Sequence, residues 1–426
     1  MRGKALVAVL VLAAIVGVIA SLAAWGFLEL IFYIQRWVFT DIPSDLGYTH
    51  GTPLWWYVPV LAIAGIAAAL AIVRLPGNGG HVPAHGLNPS PTQPIELPGM
   101  LLAGIASIGL GLVVGPEAPL IALGGGLGFL IIRSLRPDAP PQLGALLASS
   151  GTFAAVSFLF GSPIIAAVIL IEAAGLGGKR MPLVLIPGLL AAGIGSLVSI
   201  GMGSLTGLST ANISLSVLHL PAFARPDLVD FLWTIPLAVA IAVATFAIFG
   251  LARAVERVAT PRAFALLPVA GMVVAGLAVA FSQTTDHGVD QVLFSGQNAL
   301  GPLVANPGAW SVSALILVIV FKGLAYGISL GTFRGGPTFP AMFLGAAGGL
   351  LAAQLPGFET TPAVAVGLGA AVVAVLRLPL SAVVLATLLT VNSGMGSEPL
   401  IIVGVVAAYL TVQGLPDRDD SPEPAH

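Results

Sequence analysis

Gly115-Pro-Glu-Ala-Pro119-Leu-Ile-Ala-Leu-Gly124 and Gly336-Pro-Thr-Phe-Pro340-Ala-Met-Phe-Leu-Gly345 decide how the chain is read. Glycine, both prolines, leucine and the closing glycine superpose at an offset of 221 residues. Two further matches follow in the same order. Gly151-Thr-Phe-Ala-Ala-Val156, with Pro163 behind it, pairs with Gly367-Leu-Gly-Ala-Ala-Val372 and Pro379 at an offset of 216. Pro182-Leu183 pairs with Pro399-Leu400 at 217. Each match alone is weak in a Gly/Ala-rich chain, but an ordered set at nearly one spacing argues for a duplicated architecture. The halves are expected at 1–220 and 221–414, joined by the Pro/polar stretch His219–Asp227. A polar, proline-bearing tail, 415–426, reads as disordered.

Composition gives the class in which such a repeat operates. With 57% hydrophobic and 8% charged residues among 426, the chain lacks the polar surface to cover a soluble domain. Runs such as Ala5–Phe27, Leu54–Val73, Leu232–Leu251 and Val312–Ile328 reach the about 20 apolar residues a bilayer-crossing helix needs. The first of these could also be a secretory signal, but it continues apolar through Phe32 and fits a membrane helix better. The expected fold is therefore an all-α polytopic membrane protein. The clusters Arg133/Arg136, Lys179/Arg180 and Arg253/Arg257/Arg262 are expected in interfacial loops. Fifty-three glycines and thirty-three prolines, many inside apolar runs, imply short and broken helices. Broken backbone is tolerated in lipid where protein buries it or a cavity lies beside it. Most of the glycines need serve only close helix packing.

Paired interrupted helices in the two halves of a membrane protein point to a substrate site near the midplane. A helix N-terminus offers unpaired N–H groups and about half a positive charge. Two of them converging, from Gly115 and Gly336, suit a desolvated anion. Glu117 is an acid inside a long apolar region at the mouth of one of these helices, and intramembrane acids are functional candidates. It either caps its own helix or competes with a transported anion as a gate. Glu172, in Ile169-Leu-Ile-Glu172, is either a second proton-handling group or an ion-pair partner for Lys179 or Arg180. In Gly77-Asn-Gly-Gly-His81-Val-Pro83 the backbone of Gly79 and Gly80 could approach an ion while Asn78 or His81 donates a hydrogen bond. An ordinary surface turn is the other reading of that loop. Thr338 and the free N–H groups after Gly336 are further candidate donors.

Other functions lack their chemistry. There is no cysteine, and the scattered histidines have no metal-ligand spacing, so no metal or cofactor is expected. No Ser/His/Asp or paired-carboxylate constellation stands out, which argues against an enzyme. A cation-coupled carrier of an organic solute would want more carbonyl or carboxylate ligands than the few intramembrane acids supply. Nothing in the charge pattern suggests a nucleic-acid partner.

Taken together, these stretches resemble the CLC chloride channel and transporter family along nearly the whole chain. Gly79-Gly80-His81-Val82-Pro83, Gly115-Pro116-Glu117-Ala118-Pro119 and Gly336-Pro337-Thr338-Phe339-Pro340 stand where the family has Gly-Ser-Gly-Ile-Pro, Gly-Lys/Arg-Glu-Gly-Pro and Gly-x-Phe-x-Pro. Phe160-Gly-Ser-Pro163 and Pro379-Leu-Ser-Ala-Val-Val extend the likeness. The resemblance implies two inverted-topology repeats, a homodimer with one anion path per protomer, and a multi-pass protein of a bacterial-type cell membrane. It implies Glu117 as the gating glutamate, and anion contacts from Asn78, Gly79, Gly80, His81, Gly115, Pro116, Ala118, Gly336, Thr338 and Phe339. It carries small inorganic anions, chloride or similar, as substrate. The departures have consequences. Gly80 replaces the serine that helps hold the central anion, Thr338 replaces a phenylalanine, and Pro337 lacks an N–H. The position of the inner proton relay is Ala173, which favours channel-like or weakly coupled transport; an anion/proton antiporter using Glu117 and Glu172 is the alternative. The final helix with its pore tyrosine is expected to be missing, since Pro399–Val412 matches the last helix of the repeat and Tyr409 lies late in it.

Overall fold

The computed structural model describes residues 3–86, 92–175, 181–206 and 215–416, and among these the chain is helical, with one isolated β-bridge and no sheet. Its first half runs through α1 (Gly3–Arg36), α2 (Ile42–Asp45), α3 (Tyr57–Arg74), α4 (Leu97–Gly104), α5 (Glu117–Leu135), α6 (Pro141–Phe160), α7 (Pro163–Ala173) and α8 (Met181–Thr206). The second runs through α9 (Leu228–Ala259), α10 (Ala263–Thr284), α11 (Gln297–Ala305), α12 (Val312–Thr332), α13 (Thr338–Ala352), α14 (Thr360–Leu376), α15 (Pro379–Leu389) and α16 (Glu398–Gly414). Eight stretches among the described residues are long and apolar enough to span a bilayer, and five shorter apolar helices accompany them. The chain is a multi-pass, all-α membrane protein. The four apolar runs read as spans fall within α1, within α3 and the 3₁₀ turn Leu54–Trp56 before it, within α9 and within α12.

Proline and glycine place the breaks. Pro141, Pro163, Pro379 and Pro399 lie in the first turns of their helices, where a missing N–H costs nothing. The helices before Pro163 and Pro379 both end in a left-handed residue, Gly161 and Arg377. α5 crosses α6 at Gly124 and Gly151, and α13 crosses α14 at Gly345 and Gly367. At each crossing a Cβ on either glycine would collide with the partner's carbonyl. So the repeated glycines of the sequence are points of backbone contact.

Around these pairs, α1 and α8 pack on α6, α3 on α10, and α9 on α12, α14 and α16. α1 is one continuous helix. From residue 215 to 227 the chain has no regular secondary structure, and it is tied down by Leu218 N–H to the Leu389 carbonyl and Phe223 N–H to that of Ser393, both 2.8 Å. Asp227 then opens α9 with a reciprocal capping box to Asp230. Arg253 and Arg257 lie inside α9, not in a loop, because its helix continues through Ala259; Arg133 likewise closes α5. Lys179, Arg180 and residues 417–426 of the tail lie outside the described residues.

Candidate functional site

The breaks before α5 and α13 meet face to face. Gly115 N–H donates to the Gly336 carbonyl at 2.7 Å and Gly336 N–H returns the bond to Gly115 at 2.5 Å. A second exchange lies behind it: Val113 N–H donates to Ser329 Oγ, and Arg334 N–H to Ser107 Oγ, each at 3.2 Å. The serines sit at matching places, Ser107-Ile-Gly109 and Ser329-Leu-Gly331. Ser107 lies in a π-helical turn continuing α4, a feature common at functional sites. The first pair of bonds uses up the N–H groups of Gly115 and Gly336, so neither is an open donor for a ligand.

The open donors lie one turn further on. Pro116 stands at the N-cap of α5 and Pro337 at that of α13. Glu117 opens α5 directly after Pro116. Its carboxylate crosses the gap, and Oε1 accepts from Thr338 N–H at 2.9 Å and from Phe339 N–H at 3.1 Å. The residue is 1% exposed. Glycine at 336 is required by this approach, since a Cβ there would overlap the Glu117 carboxyl. Tyr326, buried in α12, holds the entry to α13 by donating to the Pro337 carbonyl at 2.5 Å.

Oε2 of Glu117 is buried without a hydrogen-bond partner. Glu117 also borders a cavity of about 10 Å³ bounded by Ile121, Val156, Phe160, Ile169, Thr338 and Leu376, at the lower limit for a single water. Phe160 stacks on Phe339 at 5.6 Å over this spot. A carboxylate with one oxygen satisfied and the other bare is an exception to the rule for buried polar atoms, and such exceptions mark functional positions. A cavity of about 540 Å³ between α9, α12 and α13 is lined by residues without charge and offers an ion no counter-charge.

The loop at 77–81 is not joined to Glu117 directly. Pro76–Gly79 is a short 3₁₀ turn followed by Gly80, and Gly77, Asn78, Gly79 and Gly80 all have positive φ. Its link to the bridge is Arg334, whose Nε donates to the Asn78 carbonyl at 3.3 Å. His81 keeps Nε2 buried and unpartnered; its ring lies 5.9 Å from that of His85, which pairs with Glu256 at 3.0 Å. Ala118 is half-buried in the first turn of α5.

Glu172 has a definite structural role. Oε1 accepts from Leu380 N–H at 3.0 Å, and Oε2 from Ser381 N–H at 2.7 Å and Ser381 Oγ at 2.6 Å. The last residue but one of α7 thus caps α15, its counterpart in the other half. Its expected partners Lys179 and Arg180 lie outside the described residues. Tyr409 accepts from Gln413 Nε2 on its own helix at 2.8 Å.

Two buried cations were not picked out from sequence. Lys322, 0% exposed, donates to the carbonyls of Gln291, Val292, Leu293 and Phe294 at 3.1–3.4 Å and lies 4.6 Å from the Phe343 ring centroid. Arg334 is 9% exposed. The available signal was a basic residue within a long apolar stretch, the same signal that drew attention to Glu117.

An all-helical membrane fold with two broken helices meeting around a buried carboxylate defines a class of ion transporter. The voltage gated chloride channel family model matches residues 84–413, and the chain belongs to that family. Among curated proteins it is 29% identical to the putative ion-transport protein YfeO of Escherichia coli O1:K1 / APEC, over 94% of this chain and 92% of that one. The Shigella boydii serotype 4 protein of the same name matches equally. Among solved structures it is similar to a slow cyanobacterial Cl−/H+ antiporter, with TM-score 0.76, 20% identity, and coverage of 95% and 94% of the two chains. A CLC-type fluoride/proton antiporter follows at TM-score 0.71 and 18% identity, covering 96% of each chain.

Proposed function

We propose that the protein moves small inorganic anions, chloride or a chloride-like ion, across a bacterial cell membrane, with Glu117 as the gate of one path in each protomer of a homodimer. The observation that carries this reading is the place of the Glu117 carboxylate. It occupies the two main-chain N–H groups at the start of α13 as a bound anion would. Anion and carboxylate compete for these donors, so permeation requires Glu117 to leave, by protonation or displacement. In this reading the halves 1–220 and 221–414 are inverted repeats, and the path continues past Ala118 and Pro116 to the loop Asn78–His81. Family membership supports anion transport; the gate rests on geometry.

Coupling to protons is weak or absent in this reading, because Glu172 is committed to the N-terminus of α15 by three hydrogen bonds and the next residue is Ala173. The test is purified protein in liposomes under an anion gradient, with anion and proton movement recorded together. Electrogenic anion flux is expected, with Glu117→Gln and Glu117→Ala changing its rate or pH response. Stoichiometric uphill proton movement would instead establish an antiporter, and no flux of any halide, nitrate or bicarbonate would sink the proposal.

A further inference from the structure

Resting on the anion-transport reading, we propose that Arg334 forms a second anion-binding position, on the side of Glu117 that faces the 76–83 loop. The residue stands two positions before Gly336, so the backbone bridge fixes where its side chain begins. Its own N–H is held by Ser107, and its Cγ passes close to the site of a Cβ on Gly79. The side chain therefore lies between the α12–α13 junction and the glycine loop.

The bonding of the guanidinium carries the inference. Nε donates to the Asn78 carbonyl and Nη1 to the Phe333 carbonyl at 3.2 Å. Nη2 has no acceptor among the described residues. Carbonyls orient the group but leave its charge in place, and no ion pair among the described residues includes Arg334; the acid within its electrostatic reach, Glu256, is already paired with His85. A nine-tenths buried cation without a carboxylate partner is costly unless an anion completes it. An arginine with a free N–H edge binds small anions, monatomic or planar. The stem of Arg334 passes Gly79, and its Nε reaches the carbonyl of Asn78 in the same loop.

The arrangement gives the anion two stops. At the first it replaces Glu117 on the N–H groups of Thr338 and Phe339. At the second it pairs with Nη2 of Arg334 beside the loop. A purely structural Arg334 would only tie the loop to the α12–α13 junction through Asn78.

The test compares wild type, Arg334→Gln and Arg334→Lys in liposomes, recording the half-saturating concentration for chloride and for nitrate and the thermal unfolding midpoint of the same preparations. Arg334→Gln is expected to raise half-saturation about tenfold, the loss of one charge-assisted contact. Arg334→Lys, which keeps the charge, is expected to recover most of it. Unchanged half-saturation and selectivity in a folded Arg334→Gln protein overturns the proposal. Should that variant fail to fold, wild-type crystals soaked in bromide decide: anomalous density beside Nη2 supports the site, and none at saturating bromide refutes it. If the wild type moves no anion the transport reading fails, and the bromide experiment still answers for Arg334 alone.

Discussion

Glu117 works as a gate only if its carboxylate binds the start of α13 because it is charged. The bonds from Thr338 and Phe339 N–H are charge-assisted, and such bonds weaken when the acceptor is neutralised. Lowering pH is therefore expected to vacate the site and raise flux. Glu117→Gln, neutral at every pH, is expected to show a flat pH profile with a rate near the acid limit of the wild type. A Gln variant that retains the wild-type pH dependence would show that another group sets it. Glu117 was legible in the sequence because an acid in an apolar run has no bland place to be. Its mode of bonding was not, since the partner lies 221 residues away and only folding brings the two helix ends together. Arg334 and Lys322 carry the same signal but lie outside the repeated motifs.

At the level of elements, Glu172 shows how a residue's role depends on which helix end it meets. Sequence placed it near the end of α7 and offered local cations as partners. The fold brings α15 against α7, and the carboxylate takes the two N–H groups and hydroxyl of its first turn. Removing a helix cap costs about 0.5–2 kcal/mol, so Glu172→Ala is expected to lower the thermal unfolding midpoint in detergent while anion flux persists. A loss of proton movement with intact anion flux would make Glu172 a relay after all. Helix starts were legible where proline marked them, as at Pro163 and Pro379. Glycine crossings were legible as repeated positions, but that each is a backbone contact appears only in three dimensions. The exchange between Ser107 and Ser329 was in principle readable, since Ser-x-Gly recurs at an offset of 222; a lone serine in an apolar run is too common to stand out.

Across the whole molecule, polarity is arranged to suit a negative ion. Lys322 and Arg334 are buried cations bonded to carbonyls, and Glu117 is the buried acid at the bridge. Arg334 is the one of these cations tied to the bridge, through Ser107 and Asn78, and an anion beside it lowers the cost of its charge. The outward faces of α8 and α16 carry exposed Leu197, Ile200, Ile402, Val406 and Leu410, which lipid or a second copy can cover. The homodimer reading predicts two chains per particle by cross-linking in native membranes, and a strictly monomeric product at all protein densities would contradict it. The membrane class was legible from composition alone.

The double hydrogen bond between Gly115 and Gly336 also bears on speed. Because each broken helix start is pinned to the other, neither can swing aside without breaking both bonds, and the one coordinate left free at the crossing is rotation of a single side chain. Rocking of whole domains takes microseconds to milliseconds, and the pinned helix starts oppose a motion of that kind. Ion movement governed by such a rotation should have a shallow temperature coefficient, close to that of diffusion through a pore. A steep Arrhenius slope in liposome flux would mean that the pinned backbone itself must give way in every cycle.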